Sequence, residues 1–141
     1  NDSSFATDTN SGTNTNTSCT NTGKDKHRYY NYNFNIPVTA VIKGIQVRLD
    51  ARADATSGSP KICVQLSWDG GTTWTTAKST PTLGITETTY TLGSSSDTWS
   101  RTWTSGNFSN TNFRLRVIDV ASNTNRDFFL DYVAVNVTYQ P

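Results

Sequence analysis

From Ile45 to Asp54 apolar and polar side chains alternate without a break. Ile45, Val47, Leu49, Ala51 and Ala53 hold one parity, and Gln46, Arg48, Asp50, Arg52 and Asp54 hold the other. A period of two puts each set on one face of an extended chain, so the apolar half is hidden only if this stretch is a strand in a sheet. It ends at Thr56-Ser57-Gly58-Ser59-Pro60, a run of turn formers. The same period recurs along the chain. Ile62, Val64, Leu66 and Trp68 oppose Cys63 and Gln65, Phe113, Leu115 and Val117 alternate with Arg114 and Arg116, and Val133, Val135, Val137 and Tyr139 alternate with Ala134, Asn136 and Thr138. Tyr30, Tyr32, Phe34 and Ile36, interleaved with Asn31, Asn33 and Asn35, predict a strand closed by Pro37, and Tyr90 and Leu92 mark a short strand before Gly93-Ser94-Ser95-Ser96. No segment carries a helical period with caps at both ends. Short one-sided strands between turns predict an all-β fold, an antiparallel two-sheet sandwich with the jelly-roll topology of about eight strands. The last strand is among the most apolar and is expected in a central position. Cys63 points away from Ile62, Val64 and Leu66, which argues against the inter-sheet core disulfide of an immunoglobulin domain.

Composition agrees with polar outer faces. Thr, Ser and Asn make up 54 of the 141 residues, whereas Leu, Ile, Val and Phe together supply 27. So few aliphatic residues with a large net charge would mean disorder, but the formal charge is +1 and the 16 aromatic residues favour strands. That charge lacks the basic field of a nucleic-acid binder, and no apolar run approaches the roughly 20 residues that span a bilayer. The chain has no Met and opens without a basic-then-apolar leader, as a processed chain or an excised domain would. Cys19 and Cys63 have no metal-ligand spacing and are expected to form a disulfide, the alternative being two buried thiols; a disulfide implies an extracellular or cell-surface setting. Residues 1–23 form a polar arm or edge strand, with Phe5 as its one sizeable apolar anchor, and residues 24–141 form the sandwich. Such an arm cannot offset its ordering entropy alone. Its order then comes from backbone pairing, from the crosslink or from a neighbour, either its own subunit or another copy.

Ser67-Trp68-Asp69-Gly70-Gly71-Thr72-Thr73-Trp74 resembles the Asp-box, S-x-D-x-G-x-x-W, at its four defining positions Ser67, Asp69, Gly71 and Trp74. Asp-boxes repeat in sialidases and other propellers and occur singly in unrelated extracellular β domains. The resemblance implies a folding device: Asp69 caps the turn amides, Gly71 takes a special backbone angle and Trp74 packs beneath the hairpin. One copy does not imply sialidase chemistry. More loosely, Asn35-Ile36-Pro37 through Gly44-Ile45 and Phe129-Leu130-Asp131-Tyr132-Val133 resemble bacterial surface and carbohydrate-active modules of the galactose-binding jelly-roll type. No binding residue carries over from that likeness.

Nothing nominates a catalytic centre. His27 is the only histidine and reads as part of a solvated loop, and Glu87 is the only Glu, so a glycosidase pair would have to come from Asp. Trp99, Arg101 and Trp103 share one parity; if exposed, two indoles flanking a guanidinium suit a glycan, and if not, the indoles fill the core. Asp131 shares the parity of Val133, Val135 and Val137, which would bury a carboxylate. A bulge, an Arg partner such as Arg126 or a structural calcium ion would resolve that conflict. Arg48, Arg52, Arg114 and Arg116 are expected in charge pairs with Asp50, Asp54 and Asp119 on wet faces. Asn1, Asn16, Asn107 and Asn136 match the glycosylation sequon, frequent by chance in so Thr-rich a chain. Two functions remain. One is a non-catalytic structural subunit of a surface fibre, stalk or adhesin that self-associates through the arm. The other is a carbohydrate-binding module using Trp99 and Trp103.

Overall fold

The computed structural model describes residues 2–141. Eight antiparallel strands follow in order: β1 (Ala6–Asp8), β2 (Lys26–Tyr29), β3 (Val41–Ala53), β4 (Lys61–Ser67), β5 (Lys78–Ser79), β6 (Thr88–Gly93), β7 (Arg114–Val120) and β8 (Phe128–Gln140). A single 3-10 turn covers Ser105–Phe108. One sheet has the order β1-β8-β3-β6 and the other β2-β7-β4-β5. Every connection except the β4–β5 hairpin crosses from one sheet to the other, which is the jelly-roll arrangement. Among the described residues no helix is long and apolar enough to cross a membrane.

The alternating segments meet face to face. Ile45, Val47, Leu49, Ala51 and Ala53 of β3 pack with Ile62, Val64 and Leu66 of β4 and with Leu115 and Val117 of β7 in one apolar cluster. Phe34, Trp103, Phe108 and Phe113 close one end of it in edge-to-face and tilted contacts 5.3–6.3 Å between ring centres. β8 is central, with β1 on one side and β3 on the other. Beyond Leu130, however, β1 has ended, and only β3 pairs with β8.

Two expectations fail locally. The segment from Tyr30 to Ile36 joins no ladder, because Asn31 and Asn33 sit in the left-handed region (φ 59° and 56°). Its aromatic residues Tyr32 and Phe34, and Ile36, still pack on the core, so alternation read the side chains correctly and the backbone wrongly. His27 lies in strand β2 rather than in a loop.

The arm is ordered on its own subunit. β1 pairs with β8, Ala6 facing Leu130 and Asp8 facing Phe128. Farther along, the Asn10 amide donates to Asp127, the Ser11 hydroxyl to the Asn123 carbonyl, and buried Lys24 to the carbonyls of Asn14 and Ala121. The Cys19–Cys63 disulfide ties the arm to β4 on the outer side of its sheet, where Cys63 packs with Ile118 and Val120.

Candidate functional site

The β4–β5 hairpin builds the most elaborate surface feature. Asp69 Oδ1 accepts the amides of Thr72 (3.1 Å) and Thr73 (2.8 Å) and the Ser67 hydroxyl (2.8 Å). Ser67 Oγ in turn accepts the Gly71 amide at 2.9 Å. The Thr73 amide leads these contacts in holding the Asp69 carboxyl down at about 2. Gly71, at φ 95°, has a backbone few side chains tolerate, and the Trp74 indole donates to its carbonyl at 3.0 Å. Asp69 thus caps the turn amides and Gly71 takes the unusual backbone angle, while Ser67 and Trp74 hydrogen-bond within the same turn. None of these groups presents a nucleophile–base pair.

Behind the turn, cations lie on the indoles. The Arg116 guanidinium sits 4.0 Å from the Trp74 ring centre, with Arg28 at 5.4 Å, and Arg101 sits 3.7 Å from that of Trp68. Burial lowers the affinity of Arg101 and of Arg116 for its proton; the Arg28 charge adds to the effect at Arg116. Between this hairpin and the Trp99–Thr102 loop runs an open groove of about 440 Å³, lined by Trp68, Trp74, Thr76, Ser100, Arg101 and Thr102 among others.

The exposed Trp99/Trp103 platform does not exist. The segment forms no strand, since Trp99 and Ser100 both take left-handed backbone angles. Trp99 is 3% exposed and Trp103 5%. Their indole nitrogens donate inward, to the Ile45 carbonyl (2.9 Å) and the Thr98 carbonyl (2.8 Å). Of the three candidates Arg101 and the edge of Trp99 line the groove, and Trp103 does not. The Arg101 guanidinium stacks there on Trp68, which packs against the core as its parity predicted and leaves part of its ring accessible.

No known protein family, curated protein or solved structure matches the chain.

The remaining candidates are accounted for by local chemistry. The ladder slips between Asp50–Tyr132 and Ala51–Leu130, leaving Asp131 as the extra residue of a β-bulge. Its two carboxylate oxygens accept the amides of Asp2 (3.2 Å) and Ser3 (3.0 Å). Among the described residues Asp131 belongs to no group of three or more His, Cys, Asp or Glu side chains placed to hold an ion. Arg126 pairs with Asp54 instead. The arginines expected in cross-strand charge pairs mostly stack on rings. Arg52 lies 3.9 Å from the centre of Phe129 and Arg114 5.0 Å from that of Tyr30, while Arg48 grips Asp50 two residues along its own strand at 2.7 Å. Asp119 is not on a wet face at all. It is buried, burial pushes its carboxyl well up, and the neighbouring Asp8 carboxyl is raised for the same leading reason.

Proposed function

We propose that this chain is a non-catalytic, extracellular glycan-binding module. The groove beside the hairpin carries the reading. Its size falls within the range of small-ligand sites, and it offers half-buried indole surface, one guanidinium and the hydroxyls of Thr76, Ser100 and Thr102. Sugars present an apolar C–H face to aromatic rings and hydroxyl edges to such donors and acceptors. A single Asp-box and a likeness to galactose-binding jelly-rolls fit this role, with the Asp-box as scaffold and its neighbours as the contact surface. Thr76 is exposed, so Thr76→Trp fills the groove without removing a stabilising group. In a glycan-array screen followed by calorimetry, binding is expected in the wild type and a drop of at least ~10-fold in Thr76→Trp at unchanged melting temperature. Equal binding by the variant, or no glycan bound by the wild type, rejects the reading.

A second reading, a subunit of a surface fibre, stalk or adhesin, is favoured by the open side of β8. From Tyr132 to Gln140 no second strand pairs with it among the described residues, and half-buried Val133, Val135 and Val137 lie along that stretch. A strand from another copy could add there and propagate head to tail. The neighbour's arm is the available donor once it leaves its own β8. Removing residues 1–18, with Cys19 kept, gives a folded monomer on this reading, and light scattering compares its mass with that of the full chain. Equal assembly states for both reject it.

A further inference from the structure

Asp8, His27 and Asp119 come from three strands and converge at the edge of the sandwich, Asp119 buried, Asp8 half-buried and His27 exposed. On β7, Leu115, Val117 and Asp119 share the core-facing side. The β2–β7 register sets His27 opposite Val117, and the β1–β8 register sets Asp8 opposite buried Phe128. Residues opposite one another in a ladder share a face, so all three polar side chains occupy positions that alternation reserves for apolar ones. β1 and β2 are the edge strands of the two sheets, and the cluster lies where those edges approach.

Their surroundings make that placement costly. Ile62, Val117, Phe128 and Leu130 line a cavity of about 20 Å³ at the cluster, room for one water or ion. Asp119 is 4% exposed and its carboxyl meets that of Asp8 within hydrogen-bonding reach, while the Asp8 Oδ2 atom is buried without a donor. No ion pair among the described residues includes either carboxylate, and the nearby Asp25 charge adds repulsion. Buried carboxylates persist when a proton or a cation compensates them. Ligand atoms of Asp8, His27 and Asp119 all lie within 4.8 Å of one another.

We propose that Asp8, His27 and Asp119 bind a borderline divalent cation of the Zn²⁺ class. One imidazole nitrogen and two carboxylate oxygens are a donor set suited to zinc, with water as the fourth ligand, whereas calcium takes about 6–8 oxygens. Ligands ~2.0–2.1 Å from a tetrahedral ion stand ~3.4 Å apart. His27 lies exposed on a four-residue edge strand, with a ring nitrogen within 4.8 Å of a carboxylate oxygen of each Asp. The ion joins the two sheets across their open edge and fastens β1, and with it the arm. This site is independent of the groove and of the glycan reading.

The test uses the full chain, stripped with EDTA and titrated with Zn²⁺ by calorimetry, thermal melting and NMR of the histidine ring. His27 is the only histidine and neither cysteine is free, so the ring resonances report this site alone. One equivalent of Zn²⁺ is expected to bind, shift those resonances and raise the melting temperature, with Ca²⁺ at equal concentration doing neither. His27→Ala, at an exposed position, and near-isosteric Asp8→Asn are each expected to weaken Zn²⁺ binding by at least ~10–100-fold. Unmoved resonances and melting in millimolar Zn²⁺ overturn the proposal, leaving the carboxyls held by protons. Undiminished affinity in folded His27→Ala, or stabilisation by Ca²⁺ in place of Zn²⁺, overturns it equally.

Discussion

Trp99 holds a left-handed backbone angle that costs an indole-bearing residue free energy. The return is a buried ring whose N–H meets the Ile45 carbonyl directly over Gly93. A side chain at Gly93 would strike both that carbonyl and the indole nitrogen, and Gly93 itself is at φ 75°. Gly93→Ala is therefore expected to destabilise the fold by at least ~1 kcal/mol in urea unfolding. Asp69→Ala removes the acceptor of two turn amides and is expected to lower the melting temperature by about 2–6 °C, on the scale of a lost side-chain cap. The pH dependence has a definite sign. Folding lowers the Asp69 carboxyl from 3.8 to about 2, so its contribution is fully present above 3.8 and is lost as pH falls through about 2. The melting gap between wild type and Asp69→Asn should be widest above pH 4 and close towards pH 2; a gap that widens in acid contradicts the cap. The capped turn was legible in eight consecutive residues because its bonds are local. The Trp99, Arg101 and Trp103 parity misled for the complementary reason, since two left-handed residues cancel alternation and leave no mark on hydrophobicity.

Strand β3 could be read off the sequence from Ile45 to Ala53, where its inner face is filled without a break; its first residues, Val41 to Gly44, carry a register shift that interrupts the alternation. β1 could not, since Ala-Thr-Asp has no pattern and its position is chosen by β8. The bulge at Asp131 was anticipated as one remedy for a carboxylate on the wrong parity; that the remedy also anchors the amides of Asp2 and Ser3 could not be. Asp131→Ala should speed hydrogen exchange of the amides around β1 selectively, with exchange in β3 and β4 unchanged. The crosslink acts on the same arm from its other end. Cys19 and Cys63 are 44 residues apart, and closing a loop of that length contributes about 4 kcal/mol in the chain-entropy model. The double variant Cys19→Ser/Cys63→Ser should lose stability of that order by denaturant midpoint, and a loss below ~1 kcal/mol would mean that the arm's own contacts already confine it.

At the scale of the molecule, jelly-roll order decides which distant residues become neighbours. Asp8, His27 and Asp119 lie far apart in sequence, and the groove joins Trp68 and Trp74 to a loop some 25 residues later. Neither meeting leaves a spacing signature, so only the alternation that built the sheets was visible beforehand. The same order sets how the domain would respond to a pull on its ends. β1 and β8 are antiparallel, so the chain ahead of Ala6 and the chain beyond Gln140 depart in the same direction along the sheet. Opposed pulls on those ends load the β1–β8 hydrogen bonds one after another, as a zip opens, rather than all together in shear. Peeling runs through Asp8 and onward until it reaches Cys19, bonded to β4 in the other sheet. Residues 2–18, at roughly 3.3 Å each, span at most about 55 Å when fully extended, which limits the extension before the disulfide arrests it. Under such a pull the arm would lengthen only as far as its covalent stop, and reductant would shift that stop into the sandwich itself.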